Sequence, residues 1–241
     1  IMKNVILIGY VAEETGFRFT KKERPSMKVK SLVILLSVLG MAGSFEAAQA
    51  DTIWTQSLGT SSEEIGRAVA VDSAGNSYLG GSTSGNLAAD NGGGSDAFIA
   101  KYDMAGDLQW VKQYGTPLQD IVLTILPDDA GNLYVGGRTK VDSAYGAYVR
   151  KYDDEGNMLW HSDWSRPGED GTMQLAMAPD GTLASVSYSN GDCAVLKYSI
   201  DGVLLQDNVY TSGVTDVNWI PHSLAIDSQG YLSIVGRTRL N

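Results

Sequence analysis

Four acidic side chains recur at one fixed place in the chain. Glu64, Asp120, Asp170 and Asp216 each stand ten residues after the start of a sequence unit, marked by Trp54, Trp110, Trp160 and Gln206. Carboxylates at such a spacing could do two kinds of chemistry. Gathered into a ring they would offer oxygen ligands to Ca²⁺. Taken singly, each would accept backbone N–H groups in a tight connection, as short polar side chains do in turns. No D-x-D-x-D-G loop accompanies them, so the second role is favoured and Ca²⁺ is the alternative; no other cofactor is expected. Lys101, Lys151 and Lys197 recur as well, and a repeated cation with a repeated acid reads as a scaffold pair.

Groups suited to catalysis are sparse. His161 and His222 are the only histidines, neither recurs, and neither has metal-ligand spacing. Cys193 is the only cysteine and lies in an apolar stretch, where it reads as small core filler with no disulfide partner. Gly92-Gly93-Gly94 follows no strand-to-helix pattern and is not a phosphate loop. Catalysis is therefore not expected.

The elements that carry these residues are legible from their spacing. From each unit start to the glycine of the next Asp-containing turn (Gly75, Gly131, Gly181, Gly230) the interval is 21, 21, 21 and 24 residues. From Lys101, Lys151 and Lys197 to the next unit start it is 9 each time, whereas the piece between turn and lysine shrinks from 26 to 20 to 16. A constant scaffold with one elastic loop per unit is the signature of a repeat array. Within a unit, short apolar and aromatic runs alternate with D-x-x-G punctuation, which predicts four antiparallel strands. Four strands per unit of this length, some apolar on both faces as in Ile121 to Leu126, predict an all-β fold: a β-propeller of three blades and a partial fourth, opened by a lone strand at Trp54 and forming an incomplete ring. An array ending within a blade leaves sheet edges open, and self-association is expected of it.

The pattern W-x-x-x-x-G-T, A-V-D-x-x-G-N-x-Y-x-G-G and D-A-F-I-A-K-Y-D-x-x-G-x-x-x-W, found at Trp54 to Thr60, Ala70 to Gly81 and Asp96 to Trp110, resembles the bacterial SBBP-type β-propeller repeat. The resemblance extends over residues 54 to 241, weaker in the third unit. It implies a propeller fold and an exported, often surface-associated setting, without implying one activity. The A-x-D-x-x-G turn and trailing Trp also resemble quinoprotein propellers, but the threonine expected before the glycine is missing.

Strand alternation places the elastic loops and the connections between units on one rim, and the D-x-x-G turns on the other. Loops on a rigid scaffold are where binding residues accumulate. The candidates are Asp90, Asn91 and Asp96 in the first loop, Ser82 to Asp96, and Arg138, Lys140 and Asp142 in the second, Arg138 to Tyr145. The expected function is a non-catalytic binding or scaffold module for a protein or glycan. The alternative is part of a propeller enzyme, of lyase or quinoprotein type, whose catalytic residues lie in further blades.

The N-terminal 50 residues stand apart. Lys28 and Lys30, the apolar run Leu32 to Gly43 and Ala48-Gln49-Ala50 form the basic, apolar and small-residue succession of a signal peptide over residues 27–50. Residues 1–26 read as an upstream extension outside the mature protein. The apolar run is too short for a stable membrane span. Residues 51–241 carry 11 basic and 24 acidic side chains, a net charge of −13, which disfavours nucleic acid and anionic membranes. N-terminal sequencing of the exported protein should begin at Asp51; a mature chain beginning at Ile1 or Met2 would exclude the signal peptide.

Overall fold

The computed structural model describes residues 6–8, 33–35, 54–165, 170–189, 191–211 and 217–240. Two short strands, β1 (Ile6–Ile8) and β2 (Val33–Leu35), pair in parallel. The rest of the segment 1–50, including the expected cleavage site, lies outside the described residues.

From Glu64 onward the chain is a succession of antiparallel sheets, with no helix among the described residues. The first blade comprises β3 (Glu64–Val71), β4 (Ser77–Thr83), β5 (Asp96–Tyr102) and β6 (Leu108–Tyr114). In the second, β7 (Asp120–Pro127), β8 (Leu133–Val141), β9 (Ala144–Tyr152) and β10 (Met158–Trp164) pair in the same order. The third is β11 (Asp170–Met177), β12 (Leu183–Ser189), β13 (Asp192–Tyr198) and β14 (Leu204–Tyr210). A two-stranded sheet follows, β15 (Val217–Ile226) with β16 (Leu232–Leu240). The expected three blades and partial fourth are present, and the described sheets form no closed ring. The lone strand expected at Trp54 is absent: the segment from Trp54 to Glu63 forms none, since no neighbouring strand is there to take its N–H and C=O groups.

The tight turns follow from one side chain and one glycine. Asp72, Asp103 and Asp128 accept the N–H groups two and four residues on, from Ala74 and Asn76, Ala105 and Asp107, Ala130 and Asn132. The chain can then reverse only through a left-handed residue, and Gly75, Gly106 and Gly131 take φ of 86°, 88° and 84°.

The core lies between blades. Every residue of β4 and β5 is buried, because blade two covers one face of this sheet and Trp54, Leu58 and Leu87 cover the other. One apolar cluster joins blades one and two through Tyr78, Ile99, Val122 and Val135, another joins blades two and three through Tyr134, Val149, Leu175 and Leu196. Cys193 fills the interface of blade three with β15, against Leu224, and burial pushes its thiol up to about 11.

The unit-start tryptophans clasp each blade to the next. Trp110 of β6 donates its indole N–H to the Asp154 carbonyl oxygen in the β9–β10 turn, at 2.9 Å, and Trp160 of β10 donates to Ile200 in the following blade, at 3.0 Å. Trp54 stacks on Tyr102 and Trp160 on Tyr198. A Cβ on Gly106 or Gly202 would run into Trp54 or Trp160, and one on Gly156 would run into Lys112 and press on Trp110, so the turn glycine serves the neighbouring unit as well as its own. Replacing Trp160 with Ala should lower stability by about 3 kcal/mol, while Trp160→Phe, which removes the N–H bond and keeps most of the packing, should lose only about 1 kcal/mol. Urea unfolding measures both; equal losses would show that the indole N–H and not the ring holds the blades.

Candidate functional site

The recurring acids Glu64 and Asp120 close the connection that leads into a blade. Glu64 accepts Thr60 N–H at 3.1 Å and the Thr60 hydroxyl at 2.7 Å, and takes the Thr83 hydroxyl of β4 at 2.9 Å. Asp120 repeats the arrangement with Thr116 N–H at 2.6 Å, the Thr116 hydroxyl at 3.0 Å and the Thr139 hydroxyl of β8. The G-T pair of the repeat therefore supplies the donors. Its glycine supplies the room, because a Cβ on Gly115 would collide with both Asp96 and Asp120.

In blade three Asp170 is paired with Ser189, the same register with a serine in place of threonine. In the last sheet Trp219 pairs with Thr238, so Trp219 holds the register position that the acid holds elsewhere. Asp216 lies outside the described residues; the three residues by which the fourth interval exceeds the others shift the strand relative to the unit start. Among the described residues no three His, Cys, Asp or Glu side chains converge as metal ligands.

The recurring lysines sit at the other rim and pair there with different acids. Lys101 pairs with Asp154 of the next blade and Lys197 with Asp180 at 2.8 Å, a contact that holds the Asp180 carboxyl below its usual range. Lys151 lies over the Tyr134 ring. The expected pairing of repeated cation with repeated acid thus resolves into two separate sets, because the acids begin the first strand of a blade and the lysines end the third.

The connection rim is built from three segments zipped together. The first elastic loop, residues 84–95, is fastened to the connection 115–119: Ser95 bridges Gln119, and Asp120 N–H donates to Ser95 at 2.8 Å. A side chain on Gly93 would collide with Pro117 backbone, so the glycine run exists for close backbone approach. Gln113 from β6 locks the loop further, its carbonyl taking Leu87 and Ala88 N–H and its amide donating to Asp96 at 2.9 Å. On the other side Lys140 N–H donates to the Gln119 carbonyl and the Tyr145 hydroxyl to its side chain.

The sequence-derived candidates divide accordingly. Asp90 is exposed and accepts the Asn86 amide at 3.1 Å. Asn91 is half-buried and accepts Gly93 N–H at 2.7 Å. Asp96 is 2% exposed and takes Gly92 N–H and Gln113; it belongs to the scaffold of the loop. The second segment, expected as a loop, is the end of a long hairpin in which Val141 pairs with Ala144 and exposed Asp142 takes φ of 54°. Cross-strand pairing runs on to this point because Asp142 and Ser143 suffice for the reversal, Asp142 taking the left-handed conformation that a tight hairpin turn requires. Arg138 and Lys140 are brought together on the Tyr145 ring, 4.3 and 5.3 Å from its centroid.

Sequence reasoning did not find the residues that join Arg138. A cavity of about 190 Å³ opens where β3, β7 and β11 converge, lined by Arg67, Ile121, Leu123, Arg138, Gly171, Met173 and Tyr188. Arg67, Leu123 and Met173 each occupy a β-bulge, at the register breaks of their strands, and a bulge re-aims one side chain out of alternation. The signal was present in the spacing, since each stands eight residues before its turn glycine. The second glycine of the G-G pair serves the same bulge: a Cβ on Gly81 or Gly137 would strike the carbonyl of Ile65 or Ile121.

Replacing Asp120 with Asn should destabilise the protein by roughly 1–3 kcal/mol, because the amide would turn a donor toward donors that the carboxylate now satisfies. Thr139→Val should lose less, since the Thr116 N–H keeps its acceptor. Thermal unfolding at matched pH measures both, and a change near zero for Asp120→Asn would show that the carboxylate does not hold the connection.

No curated protein matches the chain. Among solved structures, a protein of unknown function from Bacteroides caccae aligns with a TM-score of 0.49 at 17% identity over 77% of this chain, which spans 57% of that protein's length. A candidate 6-phosphogluconolactonase from Bacteroides fragilis aligns at 0.39 and 16% identity, over 66% of this chain and 45% of its own. The periplasmic gluconolactonase of Pseudomonas aeruginosa aligns at 0.40 and 12%, over 80% and 70%. The family profile of the SBBP β-propeller repeat matches at two places, residues 53–88 and 109–143. Those segments hold the Trp-to-Thr connection, the recurring acid and the G-G strand of blades one and two, so at these two places the chain matches the SBBP β-propeller repeat.

Proposed function

We propose that this protein is an exported, non-catalytic β-propeller module that binds a glycan or protein at the cell surface or in the periplasm, through its connection rim. The observation that carries this reading is the locking of the first loop. Gln113, Asp96 and the Gly93–Pro117 approach hold residues 84–95 in one shape, and a preorganised loop binds without the cost of ordering it. The signal-peptide-like segment 27–50 supports export.

The reading is tested by screening the 51–241 chain against arrays of cell-envelope glycans and peptides, beside a connection-rim variant (Asp90→Lys with Asp142→Lys) and a turn-rim variant (Asp129→Lys). The wild-type chain should give a ligand that the first variant loses and the second retains. Loss in the turn-rim variant alone, or turnover of the bound glycan, would overturn the reading.

A further inference from the structure

The cavity at the convergence of β3, β7 and β11 has two arginines and no acidic residue among its lining residues. Two like charges bordering one space repel, and an anion within reach of both relieves the repulsion. Arg138 is held in place to receive one, since its side chain stacks on Tyr145 and its Nε is buried without a hydrogen-bond partner. Arg67 is exposed on its bulge and free to swing onto a ligand. The remaining walls, Leu123, Met173 and Tyr188, are apolar or aromatic.

The cavity exists because of one small residue. Ile121 pairs with Arg138 in blade two, whereas the same register in blade three pairs Gly171 with Tyr188. A Cβ on Gly171 would make ordinary contacts with Arg138 at 3.5 Å and Leu123 at 3.6 Å, so glycine there is not demanded by packing. It leaves open the space that a side chain would fill.

We infer that this cavity is an anion-binding subsite that takes one acidic, ring-sized residue, such as a sugar carrying a carboxylate or a phosphate monoester, with Arg67 and Arg138 as the ligating groups. Its volume of about 190 Å³ is below the ~300–1,000 Å³ of sites for whole drug-sized ligands, which fits one residue of a longer ligand. The guanidinium fork matches carboxylate and phosphate oxygens alike, and an aromatic and aliphatic wall suits the C–H face of a pyranose.

The inference rests on the binding-module reading and narrows its ligand class. Calorimetric titration of the 51–241 chain uses glucuronate, glucose 6-phosphate and glucose. The expected result is binding of at least one anion, weakening as salt is raised, with glucose at least tenfold weaker; the tighter anion tells carboxylate from phosphate. Arg67→Gln should weaken anion binding about tenfold or more, and Gly171→Ile should abolish it with the melting temperature retained. Should Gly171→Ile unfold the chain, Arg67→Gln decides alone, because its side chain is exposed. Equal binding of glucose, failure of both anions at millimolar concentration, or indifference to Arg67→Gln would overturn the inference. An array ligand that survives Gly171→Ile and is not displaced by either anion would do so while leaving the binding-module reading in place.

Discussion

The governing constraint is that the four-stranded blades are apolar on both faces, so that none is stable in water until both faces are covered. The buried residues of β4 and β5 have no single core to belong to; they are divided between the interface with blade two and a cluster under Trp54, Leu58 and Leu87, while further clusters join the later blades. Stability of such an array is set by nearest-neighbour contacts. That places the burden on whatever fixes the distance and angle between blades. Trp110 and Trp160 do so at the turn rim, reaching across to a carbonyl and a glycine of the next blade.

The acids do so at the connection rim. Glu64 and Asp120 convert the entry into the innermost strand, which for Asp120 is the crossing from blade one to blade two, into a closed hydrogen-bonded corner, in which a threonine from the connection and another from the second strand share one carboxylate. Because the corner satisfies its own donors, the adjoining loop is free to change in length. The first loop spans residues 84–95, while in blade two Val141 and Ala144 already pair across the turn.

Charge is distributed by the same logic. Carboxylates of the Asp-containing turns cap backbone N–H groups at one rim, and Lys101 and Lys197 pair there with the turn residues Asp154 and Asp180. Arg67 and Arg138 instead line the cavity near the connection rim. In a chain whose repeat region carries a net charge of −13, a local positive site is set against a negative surround, which favours selection of a ligand over indiscriminate attraction of anions.

How much of this is legible in the sequence depends on which physical interaction each residue serves. The repeat, the four strands per unit, the tight turns and the job of the acid are readable because they rest on local chemistry at fixed spacing: an Asp capping N–H groups two and four residues on, or a carboxylate taking a donor four residues back. Asp96 reads as a rim ligand and is buried, because its partners Gly92 and Gln113 come from a loop and a strand whose meeting is not encoded in spacing. The second loop proved a hairpin, since Asp142 and Ser143 suffice for the reversal once Asp142 takes the left-handed conformation. The sequence by itself determined the blade. Only the tertiary structure decided the cavity, where bulged residues of three strands far apart in the chain, Arg67, Leu123 and Met173, are turned toward one space that Gly171 leaves open. A bulge breaks the alternation by which a strand's faces are read, and convergence between blades depends on packing angles that no single repeat contains.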